Sequence, residues 1–161
     1  MLPQSLIGEL YDEYGLRLYR YALVILKDPA AAEDAVQQTF YELARMARRK
    51  PQVVNAGYAT RAVRNQCFDA LRRQRRRSTP PATLLESVAS DTSEEERLIV
   101  EQALAALPVE QREVVYLKVY EGLTLQEIAT LAGVSINTIA SRYRYALVAL
   151  RREMAPGGGS V

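Results

Sequence analysis

Apolar residues recur every three or four positions along most of the chain, a spacing that predicts amphipathic α-helices. The first such stripe consists of Leu6, Leu10, Tyr14, Leu18, Tyr21 and Ile25. Asp28 followed by Pro29 is typical of an N-cap and the first residue of a second helix. The stripe of that helix consists of Val36, Phe40, Leu43 and Ala47. Strand-like alternation is absent from the sequence, so we expect an all-α fold.

The second helix is predicted to end at Arg48, Arg49 and Lys50, before a loop over 51–57. A third helix is then predicted from about Tyr58, with Ala59, Ala62, Val63, Ala70 and Leu71 facing inward. Residues 78–92 contain two prolines and small polar residues without a sustained period, which indicates a linker.

The second half is predicted to begin with a capping box formed by Ser93 and Glu96. A stripe of Leu98 or Ile99, Ala103 and Leu107 follows, and Pro108 breaks the chain. Residues 109–121 are predicted to be helical, and the candidate core residues there are Val114, Leu117 and Val119. Gly122 is a candidate left-handed C-cap.

Residues 124–145 have the pattern of a helix-turn-helix. Thr124 and Glu127 form a second capping box, and Gly133 ends the short helix that it opens. Ser135 is predicted to cap a last helix that runs to about Met154. One side of that helix is polar and consists of Asn137, Thr138, Ala140, Ser141 and Arg144. Such a helix fits the major groove of DNA, although an ordinary helical hairpin would have the same outline.

These elements predict two small helical domains. The boundaries are 1–77 for the first domain, 78–92 for the linker, 93–155 for the helix-turn-helix domain and 156–161 for a flexible tail.

Composition then excludes several kinds of chemistry. The 161 residues include no His and one Cys, Cys67. An intrachain disulfide is therefore impossible, and zinc sites built from Cys and His, and nucleophilic dyads that need imidazole, are excluded. We expect no metal, no cofactor and no enzymatic activity. The sequence also has no apolar run of membrane-spanning length and no secretory signal, so we expect a cytoplasmic protein without membrane insertion.

Charge alternates strongly along the chain. The net charges of residues 1–44, 45–77, 78–141 and 142–161 are −4, +10, −7 and +3. Arginines supply 18 of the 21 cations, and a guanidinium suits bidentate contacts with phosphates and base edges. Two separate basic segments favour nucleic acid as a partner over two merely solvated helix faces.

The basic segment 45–77 also contains two aromatic residues, Tyr58 and Phe68. Cations interleaved with stacking side chains suit single-stranded or distorted DNA. A core position is the simpler interpretation for Phe68, whereas Tyr58 fits either role equally well. Cys67 is most simply a small buried residue.

Three segments, in this order, resemble the bacterial extracytoplasmic-function (ECF) sigma factors of the sigma-70-like family. AEDAVQQTF at 32–40 is similar to the family's A-E-D-x-x-Q-x-x-F, and RAVRNQCFDALRRQRRR at 61–77 is similar to its R-x-x-R-N-x-x-x-D-x-x-R. The fourth sigma domain is resembled by Leu107, Pro108, Arg112, Glu127, Ile128, Ala129 and SINTIASRYRYAL at 135–147.

The resemblance implies a division of labour between three surfaces. The polar face of the second helix would bind core RNA polymerase, and its residues are Glu33, Asp34, Gln37 and Gln38. The third helix and the residues before it would recognise and open the minus-ten element through Arg48, Arg49, Tyr58, Arg61, Arg64, Asn65, Arg72 and Arg73. The last helix would read the minus-35 duplex through Asn137, Thr138, Ser141, Arg142 and Arg144.

The chain departs from the family pattern at several positions. Tyr58 stands where the family usually has Trp, which leaves a smaller wedge. In the recognition helix, Asn137 replaces a Gly, Ala140 replaces a basic residue and Tyr145 replaces an Arg. The promoter sequence therefore cannot be carried over from another member.

The sequence thus predicts a dissociable sigma factor that brings core RNA polymerase to promoter DNA and starts strand opening. An anti-sigma factor is expected as a further partner. Two alternatives stay open: a helix-turn-helix regulator that binds duplex DNA by itself, and a helical adaptor whose partner is a protein such as an anti-sigma factor. The regulator leaves the polar face of the second helix and the basic third helix unexplained.

Overall fold

A computed structural model of the chain describes residues 3–77 and 94–154. Over these ranges the chain forms seven α-helices and no strand, as the apolar periodicity predicts. It divides into two compact units, of which the first holds helices α1–α3 and the second holds helices α4–α7. The predicted linker 78–92, the Ser93 cap and the tail 156–161 lie outside the described residues.

The first unit is a bundle of three helices, α1 (Pro3–Leu26), α2 (Pro29–Arg49) and α3 (Ala56–Arg77). The Asp28 carboxylate accepts a hydrogen bond of 3.1 Å from the backbone N–H of Ala30, so the predicted N-cap of α2 is confirmed. Apolar residues of all three helices meet in a common core, which includes Leu18, Tyr21, Ile25, Val36, Phe40, Leu43, Ala59 and Val63. The rings of Tyr11 and Phe40 meet edge to face, with centroids 5.2 Å apart.

The connection between α2 and α3 differs from the predicted loop over 51–57. Pro51–Val53 form a 3₁₀ turn, and Val54 is buried against the bundle. The side chain of Asn55 accepts a hydrogen bond of 2.9 Å from the backbone N–H of Tyr58, so α3 begins at Ala56 instead of Tyr58. Asn55 is thus a helix cap that the apolar pattern did not reveal.

The second unit consists of α4 (Glu94–Ala106), α5 (Val109–Val115), α6 (Leu125–Ala132) and α7 (Ile136–Met154). Its core joins α4, α5 and α7 through Leu104, Leu107, Val115 and Ala146, with Val100, Tyr143, Ala149 and Leu150 packed against them. The prediction that Leu98 or Ile99 belongs to this core is wrong, because their side chains are 44% and 50% exposed. The buried stripe is centred on Val100, Ala103, Leu104 and Leu107, so Leu98 lies on the opposite side of α4 and Ile99 at the edge.

The prediction of Val119 as a core residue is also wrong, because its side chain is 59% exposed. After α5 the chain continues as a π-helical segment, Tyr116–Tyr120, in which the Glu121 N–H donates to the Tyr116 carbonyl five residues earlier. This wider turn breaks the 3.6-residue period on which the prediction rested. Tyr116 and Leu117 are buried in this segment, and Val119 faces outward.

A buried arginine fixes the corner between α4 and α5. Arg112 is 3% exposed, and its guanidinium donates a hydrogen bond of 2.7 Å to the backbone carbonyl of Leu107. This contact spans the break at Pro108 and satisfies a carbonyl at the end of α4. Burial lowers the pKa of Arg112 to about 10, against the raising effect of Glu110, so the side chain stays cationic at neutral pH.

Candidate nucleic-acid and protein interfaces

The outer face of α2 is polar and ordered by side-chain hydrogen bonds. Glu33, Asp34, Gln37 and Gln38 are all exposed, whereas Ala35, Val36 and Phe40 on the other side are buried. The Gln37 amide donates to the Glu33 carboxylate at 3.2 Å, and the Gln38 amide donates to Glu42 at 3.3 Å. The four predicted residues therefore lie on one continuous surface, which we call the α2 polar face and which also includes Glu42.

Some of the basic residues of α3 lie on an exposed side of the first unit. Arg61, Asn65 and Arg72 share this side with Phe68, because they recur at intervals of three or four residues. Arg72 forms an ion pair with Asp69. Arg48 and Arg49 are exposed at the end of α2, and only 50–55 separate them from the start of α3. The two arginines and the first turn of α3 therefore lie at the same end of the unit.

Phe68 is not the plain core residue that the sequence suggested. It is half-buried, and the guanidinium carbon of Arg64 lies over its ring, 4.4 Å from the centroid. This distance is within the range of a cation–π interaction. The Phe68 ring therefore helps to position the Arg64 guanidinium at the edge of the basic surface. Tyr58 is also half-buried, at the first turn of the helix, whereas Cys67 is fully buried as expected.

The helix-turn-helix is built as predicted from α6, a glycine turn and α7. Thr124 and Glu127 form a reciprocal capping box, in which each side chain is hydrogen-bonded to the other residue's backbone N–H at 3.0 Å. Gly133 has φ 71°, a left-handed conformation that a Cβ atom disfavours, and its N–H donates to the Ala129 carbonyl. The Ser135 hydroxyl accepts the N–H of Thr138 at 3.1 Å and so caps α7.

Burial fixes which side of α7 is free for a partner. Ile128 and Ile139 are fully buried at the crossing of α6 and α7. Asn137, Ser141 and Arg144 recur at i, i+4 and i+7 on the side of α7 opposite Ile139. Asn137 and Arg144 are exposed, and the Arg144 guanidinium lies 5.5 Å from the centroid of the Tyr145 ring.

The other two predicted residues of α7 lie differently. The Thr138 hydroxyl is 3.0 Å from that of Ser135, so Thr138 takes part in the cap of the helix. Arg142 is half-buried, on the flank between the exposed side and the buried side. The structure therefore brings together Asn137, Ser141 and Arg144, with Thr138 and Arg142 beside them.

The capping box leads to a prediction about the stability of the helix-turn-helix. We expect Thr124→Ala to destabilise the second unit by about 1 kcal/mol, because the Glu127 N–H loses its acceptor. Thr124→Ser keeps the hydroxyl and should retain most of that stability. Urea unfolding combined with hydrogen exchange of the α6 amides measures both changes, and equal stability of the Ala variant and the native chain would contradict the assigned cap.

The capping box of Thr124 and Glu127 also shifts the pKa of the Glu127 carboxyl group. The Thr124 backbone N–H, and then the Thr124 hydroxyl, lower the pKa of Glu127 below its ordinary value. The ionised Glu127 carboxylate therefore stabilises the fold fully at pH values above its pKa in the unfolded chain. This stabilisation is lost as the pH falls through its lower pKa in the folded chain. In Thr124→Ala, an NMR titration should show the pKa of Glu127 moving up toward its ordinary value.

Comparison with known proteins assigns both units to one family. Residues 10–77 match the family model described as Sigma-70 region 2, and residues 97–150 match the one described as Sigma-70, region 4. The ECF RNA polymerase sigma factor SigL of Mycobacterium tuberculosis is 33% identical in an alignment 159 residues long, and the match covers 91% of this chain and 88% of the relative. The chain belongs to the ECF RNA polymerase sigma factors. It is thus a DNA-binding transcription initiation factor.

Other members of this family are also similar. SigM of Mycobacterium tuberculosis, another ECF sigma factor, is 31% identical over 146 residues, which cover 89% of this chain and 74% of the relative. The sigma factor RpoE of Bartonella quintana, whose structure was solved in complex with the anti-sigma factor NepR, has the same fold. The TM-score of that match is 0.71 at 23% identity, and it covers 91% of this chain and 96% of that one.

Two further features of this ECF sigma factor concern the hydrophobicity of its described helices and the grouping of its described acidic side chains. None of its described helices combines the length and the apolar character that crossing a membrane requires. In the same parts of the chain, no group of three or more Asp, Glu or Cys side chains could hold a metal ion.

Proposed function

We propose that this ECF sigma factor directs core RNA polymerase to promoters through three separate surfaces. The α2 polar face binds core polymerase, the exposed side of α3 acts on the minus-ten element, and the exposed side of α7 reads the minus-35 element. The observation that carries this proposal is the order of the two matches along the chain, region 2 on α1–α3 and region 4 on α4–α7. We also propose that the chain performs no bond chemistry and acts in the cytoplasm, beside polymerase and chromosome.

The surfaces differ in a way that suits these partners. The α2 polar face is acidic and rich in amides, which favours a protein partner over the phosphate backbone of DNA. The exposed side of α3 is dominated by arginines next to an aromatic ring, which favours a single strand with unstacked bases. The exposed side of α7 has short polar side chains and one long cation on a capped helix, which favours base edges in a duplex.

An anti-sigma factor is a further proposed partner. The fold that this chain shares with RpoE supports the proposal, because the structure of RpoE was solved in complex with the anti-sigma factor NepR.

Transcription with purified core polymerase tests the proposed function. A pool of templates with randomised minus-35 and minus-ten segments should give run-off transcripts from a defined subset only when both core polymerase and this chain are present. Core polymerase alone is the control. If the chain binds a DNA sequence tightly by itself and adds no transcript to core polymerase, it is a stand-alone regulator. If it binds neither DNA nor core polymerase, it is an adaptor.

The stacking of Arg64 on Phe68 gives a prediction within the minus-ten surface. We expect Phe68→Leu to slow open-complex formation on duplex promoters by about two- to fivefold, because an exposed cation–π contact is worth about 0.5–1 kcal/mol. Phe68→Tyr keeps the ring and should open promoters at the native rate. A Tyr variant as slow as the Leu variant would show that ring stacking is not what matters at this position.

A further inference from the structure

A groove of about 570 Å³ runs between α2 and α3 in the first unit. Its polar lining is contributed by Asp34, Gln38 and Glu42 of α2 and by Gln66, Asp69, Arg73 and Gln74 of α3. The Gln66 amide donates a hydrogen bond of 3.1 Å to the Glu42 carboxylate, so the two helices are joined at one end of the groove. The α2 polar face therefore does not end at the edge of α2 but continues onto α3.

The geometry of α3 separates this lining from the proposed DNA-binding side. Gln66, Asp69 and Arg73 recur at i, i+3 and i+7 and share a face. The face that contains Arg61 and Asn65 lies about 100° further around the helix. Arg73 therefore borders the α2 groove, although the sequence groups it with the minus-ten arginines.

The groove also places opposite charges at one end. A short connection joins α2 and α3, and the contact between Glu42 and Gln66 sets them antiparallel. The path from Glu42 to Asp34 along α2 therefore runs beside the path from Gln66 to Arg73 along α3. Both Asp34 and Arg73 are exposed, so a carboxylate and a guanidinium are available to a partner at the same end of the groove.

We infer that Arg73 and Gln66 belong to the polymerase-binding surface and that α3 is divided lengthwise between polymerase and DNA. This inference rests on the proposed binding of core polymerase to the α2 polar face. The occupant of the groove would be a segment of core polymerase that presents a basic side chain to Asp34 and an acidic one to Arg73. Such a pairing satisfies the charges of both Asp34 and Arg73, whereas Asp34 and Glu42 would repel the phosphates of DNA.

Two exposed arginines at different positions on α3 allow a matched test. Arg73→Gln and Arg61→Gln remove the same charge from exposed positions of one helix, and Arg73→Lys keeps the charge at the groove. We expect Arg73→Gln to weaken the affinity for purified core polymerase, measured with labelled protein in the absence of DNA, by about tenfold. Arg61→Gln should leave that affinity within about twofold of the native value and slow promoter opening once core polymerase is saturated. Arg73→Lys should recover most of the lost affinity.

Two results would overturn the inference. One is native core affinity for Arg73→Gln together with slow opening, which would return Arg73 to the minus-ten surface. The other is an equal loss of core affinity in Arg73→Gln and Arg61→Gln, which would reflect net charge alone. Asp34→Arg, measured in parallel, separates the two proposals. If Asp34→Arg weakens core binding and Arg73→Gln does not, only the extension onto α3 fails, whereas unchanged affinity in both variants removes the whole polymerase-binding surface.

Discussion

A double variant, Asp34→Arg with Gln37→Ala, is expected to bind core RNA polymerase about a hundredfold more weakly than the native chain. Asp34 is exposed on the α2 polar face, and Gln37 donates to Glu33 beside it. Reversing the charge turns an attraction into a repulsion, and removing the amide takes away the group that orients Glu33. The affinity is measured by titrating labelled chain with core polymerase in the absence of DNA.

The fold of the first unit should survive this change, because neither side chain contributes to the buried core. Circular dichroism and thermal unfolding check that expectation. Asp12→Arg is the matched control, since Asp12 is an exposed acid on α1 and its reversal alters the net charge equally. Native core affinity in the double variant, or an equal loss in Asp12→Arg, would remove Asp34 and Gln37 from the polymerase-binding surface.

The second prediction with a large expected effect uses a pair of variants to separate duplex recognition from strand opening. Arg144→Ala is expected to weaken closed-complex formation on duplex promoters by roughly ten- to a hundredfold, because a bidentate base contact is worth about 1–3 kcal/mol. Arg144 is exposed on the same side of α7 as Asn137 and Ser141, so its donors are free to enter a major groove. A template already opened at minus-ten should not rescue this variant.

Asn65→Ala should behave in the opposite way. Asn65 is exposed on α3 among the arginines, where the proposed partner is an unstacked strand. We expect initial duplex binding to survive, opening to fail, and a pre-melted bubble to restore part of the transcription. The measurement is run-off transcription from duplex and pre-melted templates for both variants. If pre-melting rescues Arg144→Ala as well as Asn65→Ala, Arg144 and Asn65 do not act separately on duplex binding and strand opening.

Local signals in the sequence were sufficient for most of the helices and for the turn of the helix-turn-helix. Asp28, Thr124 and Ser135 cap helices where predicted, because a short side-chain oxygen satisfies a backbone N–H within three residues. Gly122 has the left-handed φ of 71° that was predicted for it, and Gly133, which was predicted to end a helix, has the same φ. These features depend on residues within a few positions of one another, so the sequence alone is enough to predict them.

The predicted core residues were wrong in two kinds of place. One is where the number of residues per helical turn changes, and the other is where apolar residues on two sides of a helix could each form the buried stripe. Val119 would be buried if α5 continued at 3.6 residues per turn, but the π-helical segment turns it outward. Leu98 and Ile99 are as apolar as Val100, and only the position of α7 decides that Val100 and Leu104 are the residues to be covered. Apolar character alone does not say which side of a helix meets a neighbour.

The sequence by itself determined the helical class, the caps, the glycine turn and the residue types of the three proposed surfaces, because each of these follows from chemistry within a few positions of the chain. Only the tertiary structure decided which residues of α3 line the groove against α2. Arg64 and Arg73 have the same chemistry, yet one lies over the Phe68 ring and the other lines a groove against α2. The contact of Arg64 with Phe68 joins residues four apart on one helix. The place of Arg73 in the groove depends instead on where α2 packs along α3, and that packing joins residues that are distant in sequence.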